Sequence, residues 1–251
     1  MARILELFTE LRYPPVDFFK YHRNAIERIA YEEADWVRWS IQRDWRKTFD
    51  MLCIYRRFDY SLLGKLLKQD LIWHGLVEDE FDLVTRLIQS YLVDWTGESS
   101  RHLSDGITRR LLTLRQKSDG PAEFRAACEQ AQRFYAEHMK EFLESKHFWI
   151  LEVLFEWLQA RVACIDALQQ RRALRRQFLD DELPKMLHLL VKDRDPRYEY
   201  DPLLRVLERD WEFRFVVNYY LRDAVYTDDV YQETLKRIKA FFAQVSEQRG
   251  Q

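Results

Sequence analysis

Glycine and proline are scarce in this chain: six of each occur among 251 residues, about 2% apiece where globular domains use about 7% and 5%. Strand-rich folds draw on glycine for positive-φ turn positions, and this sequence has few to offer. Gly97 and Gly106 are the closest pair, too far apart for a Gly-rich phosphate loop or a dinucleotide fingerprint. Hydrophobic residues make up 47% and charged residues 33% of the chain, which fits neither a membrane-embedded nor a disordered protein. The expected fold class is all-α, a multi-helix bundle or irregular helical array of about nine to eleven helices in two lobes.

Apolar residues recur at helical spacing along most of the chain. After Pro15 they fall at Phe18, Phe19, His22, Ala25, Ile26 and Ile29, and Pro15 suits a first helical turn, where a missing N–H is no loss. Further helices are expected over residues 34–57, from a Ser61 cap to about Gly75, and from Glu78 to Gly97. Gly97, Gly106 and Gly120, with Ser99, Ser100, Ser104 and Ser118 among them, mark a linker interrupted by a short helix over 107–114. The expected organisation is an N-terminal helical lobe 1–97, a linker 98–120 and a C-terminal helical lobe 121–251, the two lobes being able to pack as one domain. Gly120-Pro121-Ala122-Glu123 opens the C-terminal lobe with Pro at N1 and Glu at N3. One long helix is expected across His147–Phe178, another starting at Pro184, a turn region over Asp193–Pro202, and two closing helices at about 203–225 and 228–247.

Forty basic against 42 acidic residues leave a net charge of −2, so no global field draws the chain to nucleic acid or to an anionic membrane. Charge is segregated locally instead. Residues 61–100 are acidic around Glu78-Asp79-Glu80-Phe81-Asp82, and residues 101–117 are basic, a pattern that suits electrostatic contacts between lobes or protomers. Cys53, Cys128 and Cys164 form no CxxC pair, which points to a reducing compartment. Glu6 and Glu10 interrupt the stretch a signal peptide would need. The longest apolar run, Met51–Tyr55, is far below the roughly 18 residues of a membrane span. A cytoplasmic protein that spans no membrane is expected.

Aromatic residues are the most unusual component, with eight Trp, thirteen Tyr and sixteen Phe. Trp36, Trp39 and Trp45 project from one expected helix, and the 203–225 segment is apolar on most sides. Such rings either fill a core between helical layers or anchor a partner at a surface, and both uses are common. Arg171, Arg172, Arg175 and Arg176, with Arg161 earlier in the same expected helix, occupy an arc of about 140° on one face. That arc is either a solvated tip near a helix C-terminus or a contact for phosphates or an acidic partner.

Catalytic and metal-binding patterns are thin. Glu144-Ser145-Lys146-His147 matches one Glu-x-x-His element of di-iron bundles, but no second one accompanies it, so no metal or cofactor is expected. Arg133-Phe134-Tyr135-Ala136-Glu137-His138 has the Arg-x4-His spacing of HEPN ribonucleases, which implies Arg133 stabilising a phosphorane and His138 as acid or base. About two such matches are expected by chance in a chain this rich in arginine, so the spacing assigns no family. Asp228-Asp229-Val230-Tyr231-Gln232-Glu233 is similar to the acidic magnesium motif of helical terpene synthases, but the downstream partner motif is missing. Thr227, Asp228 and Asp229 read instead as a helix N-terminus. By elimination, the expected function is a non-catalytic interaction protein, an adaptor or complex subunit that binds a protein partner or a second copy through aromatic and charged helix faces. The alternatives are a nucleic-acid-binding helper of a ribonucleoprotein or defence complex acting through the arginines, and a HEPN-like RNase using Arg133 and His138.

Overall fold

The computed structural model describes residues 32, 46–69, 79–89, 93–95, 102–104, 106–141, 146–163, 168–192, 196–221 and 229–249. They are predominantly helical, and the chain divides into two units, Met1–Asp119 and Gly120–Gln251. No helix among the described residues is long and apolar enough to cross a membrane.

The first unit holds α1 (Arg46–Leu52), β1 (Arg57–Phe58), α2 (Tyr60–Lys68), α3 (Glu80–Gln89), β2 (Val93–Trp95), β3 (His102–Ser104) and α4 (Gly106–Asp119). The three short strands form an antiparallel sheet in the order β1-β3-β2, with Phe58 opposite His102 and Asp94 opposite Leu103. This local sheet is an addition to an otherwise helical chain. The helix expected through to Gly97 stops at Gln89, and Val93–Trp95 pairs as a strand. Val and Trp suit a pleated surface once a partner edge is present, so tertiary pairing overrides the helical pattern here. The stretch 98–120 contains β3 and the 14-residue α4. Asp59, not Ser61, caps α2: its backbone is extended and its carboxylate accepts the Leu62 N–H at 2.8 Å. Asp79 does the same for α3 toward Phe81 and Asp82. Each such cap is worth about 1 kcal/mol. Arg109, buried, donates to the Cys53 carbonyl just past the end of α1 at 3.1 Å, where a cation also complements the helix dipole.

The second unit is built around one enclosed helix. It comprises α5 (Pro121–Glu141), α6 (Lys146–Val162), α7 (Leu168–Arg176), a π-helical segment (Gln177–Glu182), α8 (Leu183–Val191), α9 (Pro196–Arg209), α10 (Trp211–Leu221) and α11 (Val230–Arg249). Helix α5 starts as its residues dictate, with Pro121 first and the Gly120 carbonyl accepting the Phe124 N–H at 2.9 Å. Helices α5, α8, α9 and α10 all pack on α6, and every residue from Trp149 to Ala160 is buried. Across the α5–α6 contact, Trp149 stacks on Tyr135 and meets the His138 ring edge-on, with centroids 5.8 and 4.6 Å apart.

Four expectations for this unit change. The single helix expected over His147–Phe178 is two helices, α6 ending at Val162 and α7 beginning at Leu168. Pro184 does not start a separate helix. The chain runs helically from α7 into α8 through the π segment, where the Leu183 N–H reaches the Phe178 carbonyl. A proline has no N–H for the residue four before it and crowds that carbonyl, and a widened turn just upstream relieves both. The turn region over Asp193–Pro202 is largely helix: α9 begins at Pro196 and carries Pro202 inside it. The closing 203–225 helix is split at Asp210, whose side chain accepts the Phe213 N–H at 2.9 Å. Asp caps better than it propagates a helix, and the break follows from that.

Candidate interaction surface

The split at Asp210 sets the geometry of the most unusual surface in the second unit. With α10 beginning at Trp211, residues 211, 215 and 219 fall one helical turn apart on one side. On the other side Phe213, Val216, Val217, Tyr220 and Leu221 are buried. Trp211 and Phe215 are 52% and 43% exposed. Phe215 lies nearly parallel to Tyr219, with centroids 5.3 Å apart at 12°, and Tyr219 meets the buried Tyr220 edge-on at 4.9 Å. Phe215 and Tyr219 thus form a stacked pair braced by Tyr220, with Trp211 one turn before them.

Helix α11 fixes the rotation of α10. Asn218 accepts the Tyr231 N–H at 2.8 Å and donates to Asp229 at 3.1 Å, while Asp229 caps α11 through the Gln232 N–H. Tyr231 in turn donates its hydroxyl to the Leu207 carbonyl at 2.7 Å, and the Arg214 guanidinium stands 5.8 Å from its ring. Burial, then the Asp210 carboxylate, push the Tyr231 hydroxyl above its ordinary pKa, so this clasp stays protonated and donating. Asp229 is the cap of α11, which starts at Val230; Thr227, expected as the cap, lies outside the described residues.

The arginines divide into separate roles. Arg175 pairs with Glu233, which also receives Arg237, and Arg237 reaches Asp180 at 2.7 Å; this network ties α7 and the π segment to α11. Arg161 sits on α6, its guanidinium 4.6 Å over the Trp157 ring. It also contributes to holding the Glu129 carboxyl below its ordinary pKa, an effect led by the Arg125 hydrogen bond. Arg161 therefore does not share one helix face with the others. Arg172 and Arg176 are exposed and Arg171 half-buried. Helix α7 packs against α10.

Other candidates separate in space. Arg133 and His138 are about 140° apart around α5, Arg133 on the exposed side and His138 fully buried against Trp149; the structure does not bring them together. Trp36, Trp39 and Trp45, and Glu144 of the Glu-x-x-His element, lie outside the described residues. No cluster of three His, Cys, Asp or Glu able to hold a metal occurs among the described residues. Burial pushes the Cys53 thiol up, against the opposing pull of Arg109, which keeps it from acting as a thiolate nucleophile. A cavity of about 10 Å³ between α6, α8, α9, α10 and α11 is lined by Ile150, Leu154, Leu187, Leu207, Phe213 and Ile238 among others. It has room for one water at most and offers no polar partners, so it is a packing gap rather than a ligand site.

Trp211, Phe215 and Tyr219 were legible in sequence only as part of an apolar helix. Their spacing at i, i+4, i+8 opposite a second apolar stripe was the signal, and it needed the break at Asp210 to become readable. The chain matches no protein-family model, no curated protein and no solved structure.

Proposed function

We propose that this chain is a non-catalytic helical interaction protein, an adaptor or subunit of a larger assembly, which binds through the aromatic face of α10 and the charged helix beside it. The exposure of Trp211 and Phe215 on a helix whose other side is buried in the core carries this reading. Covering both rings removes roughly 200 Å² of apolar surface, worth roughly 5 kcal/mol before the costs of association. Tryptophan and arginine are also the residues that dominate binding hot spots. Phe81 and Leu189 are exposed too, but singly, and scattered exposed apolar residues are ordinary.

The test is affinity purification of the tagged full chain from its native source, alongside the Trp211→Ala/Phe215→Ala variant, with proteins identified by mass spectrometry and nucleic acid by absorbance. The expected result is a specific companion recovered with the wild type and lost with the variant, at unchanged far-UV circular dichroism. Equal recovery by both chains, or a monomer that recovers nothing specific, would defeat the proposal.

A further inference from the structure

We infer that Arg125, Arg133 and Arg161 form a binding site for a phosphate monoester where α5 meets α6, with Glu129 as the internal anion that the ligand displaces. The site lies on a different helix pair from the aromatic side of α10, and neither reading depends on the other.

Helix geometry brings the four side chains together. Arg125, Glu129 and Arg133 follow one another at i, i+4 and i+8 on α5, within an arc of about 80°. Arg161 comes to them from α6. The two helices pack on each other, and a connection as short as that from Glu141 to Lys146 makes them antiparallel. Trp149 is level with Tyr135 and His138, whose rings it meets. Arg161 stands roughly 18 Å further along α6, and the same distance back along α5 ends near Arg125. The Glu129 carboxyl registers all three cations. It is held below its ordinary pKa, first by the Arg125 hydrogen bond; partial burial opposes this, and the charges of Arg125, Arg161 and Arg133 add to it.

The arginines are unequally occupied. Arg125 donates to Glu129 at 2.9 Å, an exposed i, i+4 pair of the weak kind, which a more highly charged ligand displaces at little cost. Arg161 rests 4.6 Å over the ring of the buried Trp157, so its guanidinium is ordered before any ligand arrives. Arg133 is exposed. Neither Arg133 nor Arg161 makes an ion pair among the described residues, and Glu137, one turn beyond Arg133, makes none either.

Charge selects the ligand. Three guanidinium groups against the one Glu129 carboxylate leave two positive charges uncompensated. A phosphate monoester carries about −1.5 to −2 at pH 7 and offers three acceptor oxygens, which matches both the charge and the forked donors of arginine. A carboxylate or a phosphodiester, with a single charge, neutralises half as much. With a net charge of only −2 on the whole chain, binding depends on this local cluster and not on a global field.

The experiment follows the arginine Nε–Hε resonances of the full chain, labelled with nitrogen-15 arginine, as methyl phosphate is added at constant ionic strength. The resonances of Arg125, Arg133 and Arg161, assigned through Arg125→Lys, Arg133→Lys and Arg161→Lys, should move together along one saturating curve. Arg133→Gln and Arg161→Gln should each weaken binding roughly tenfold at unchanged far-UV circular dichroism. Glu129→Gln, which removes the competing anion, should tighten it severalfold, and Arg86→Gln in the first unit should leave it unchanged. Dimethyl phosphate and acetate should bind roughly tenfold more weakly than methyl phosphate. Shifts that never saturate, dimethyl phosphate binding as tightly as methyl phosphate, weaker binding by Glu129→Gln, or an Arg86→Gln effect as large as that of Arg133→Gln would each overturn the inference. A peptide bearing one phosphoserine then identifies the source. Tighter binding than methyl phosphate places the phosphate on a protein partner, equal or weaker binding places it on a small molecule, and either result supports the site.

Discussion

Helix α6 carries two tryptophans and α10 carries one, each among Phe, Val and Leu, yet Trp149 and Trp157 are 0% and 2% exposed whereas Trp211 is 52% exposed. The cause is how the neighbours are arranged around each helix, not composition. Four helices pack around α6, and even Glu152, Glu156 and Gln159 are drawn into the interior with it. Helix α10 also rests on four helices, α6, α7, α9 and α11, but only one of its sides is buried by them, and Trp211 and Phe215 on the other stay exposed. The same residue type therefore holds the unit together in one helix and is left over for contact in the other.

The largest effect that tests this contrast is truncation of the core ring. Trp157→Ala should cost about 3–5 kcal/mol through lost burial and the cavity left behind, whereas Trp211→Ala should stay within about 0.5 kcal/mol. Denaturant midpoints at unchanged m-value measure both, and equal losses would erase the distinction between the helices. Within α10 itself, Phe213→Ala should show the same large cost and Phe215→Ala only a small one.

A smaller effect is expected at the clasp that sets the rotation of α10. Tyr231→Phe removes the hydroxyl donated to the Leu207 carbonyl, which keeps the Asp210 N–H as a donor at 3.1 Å, so the loss should be about 1 kcal/mol. The pH dependence has a definite sign. Because the folded pKa of Tyr231 lies above its ordinary value of 10.0, its contribution is intact below pH 10 or so and is lost as pH rises beyond it. Wild-type stability should therefore decline in alkali more steeply than that of Tyr231→Phe, which sharpens the claim that burial, and not an exposed contact, holds this residue. Parallel decline would show that Tyr231 is not the titrating group.

The smallest effect belongs to the half-exposed ion pairs. Glu233→Gln removes the carboxylate shared by Arg175 and Arg237 and should cost about 1 kcal/mol or less, diminishing with added salt. A larger, salt-independent loss would mean that the network, rather than the apolar contacts of α6, anchors α7 and the π segment.

One helix start was legible from a local rule, although the cap expected at Ser61 and the start expected at Pro184 were not. Gly120-Pro121 opens α5 as its dipeptide implies, because proline at N1 needs no distant partner. Legibility failed where two local rules compete or where a partner arrives from elsewhere in the chain. Pro202 reads as a helix breaker and yet sits inside α9, held by packing on α6 and α11. Val93–Trp95 reads as the end of a helix and pairs instead with His102–Ser104. The arginine cluster was visible as a run of charge, but Glu233, which occupies Arg175, stands 58 residues away. The aromatic side of α10 was visible only as excess aromatic content.

What the residues determine by themselves is the helical class, since scarce glycine and proline and a period near 3.6 act within a few positions along the chain. Which helix is enclosed, which arginine is neutralised and which rings reach solvent were decided by tertiary structure alone. Burial is a property of neighbours, and the neighbours of α10 are brought to it from α6, α7, α9 and α11, segments its own eleven residues say nothing about.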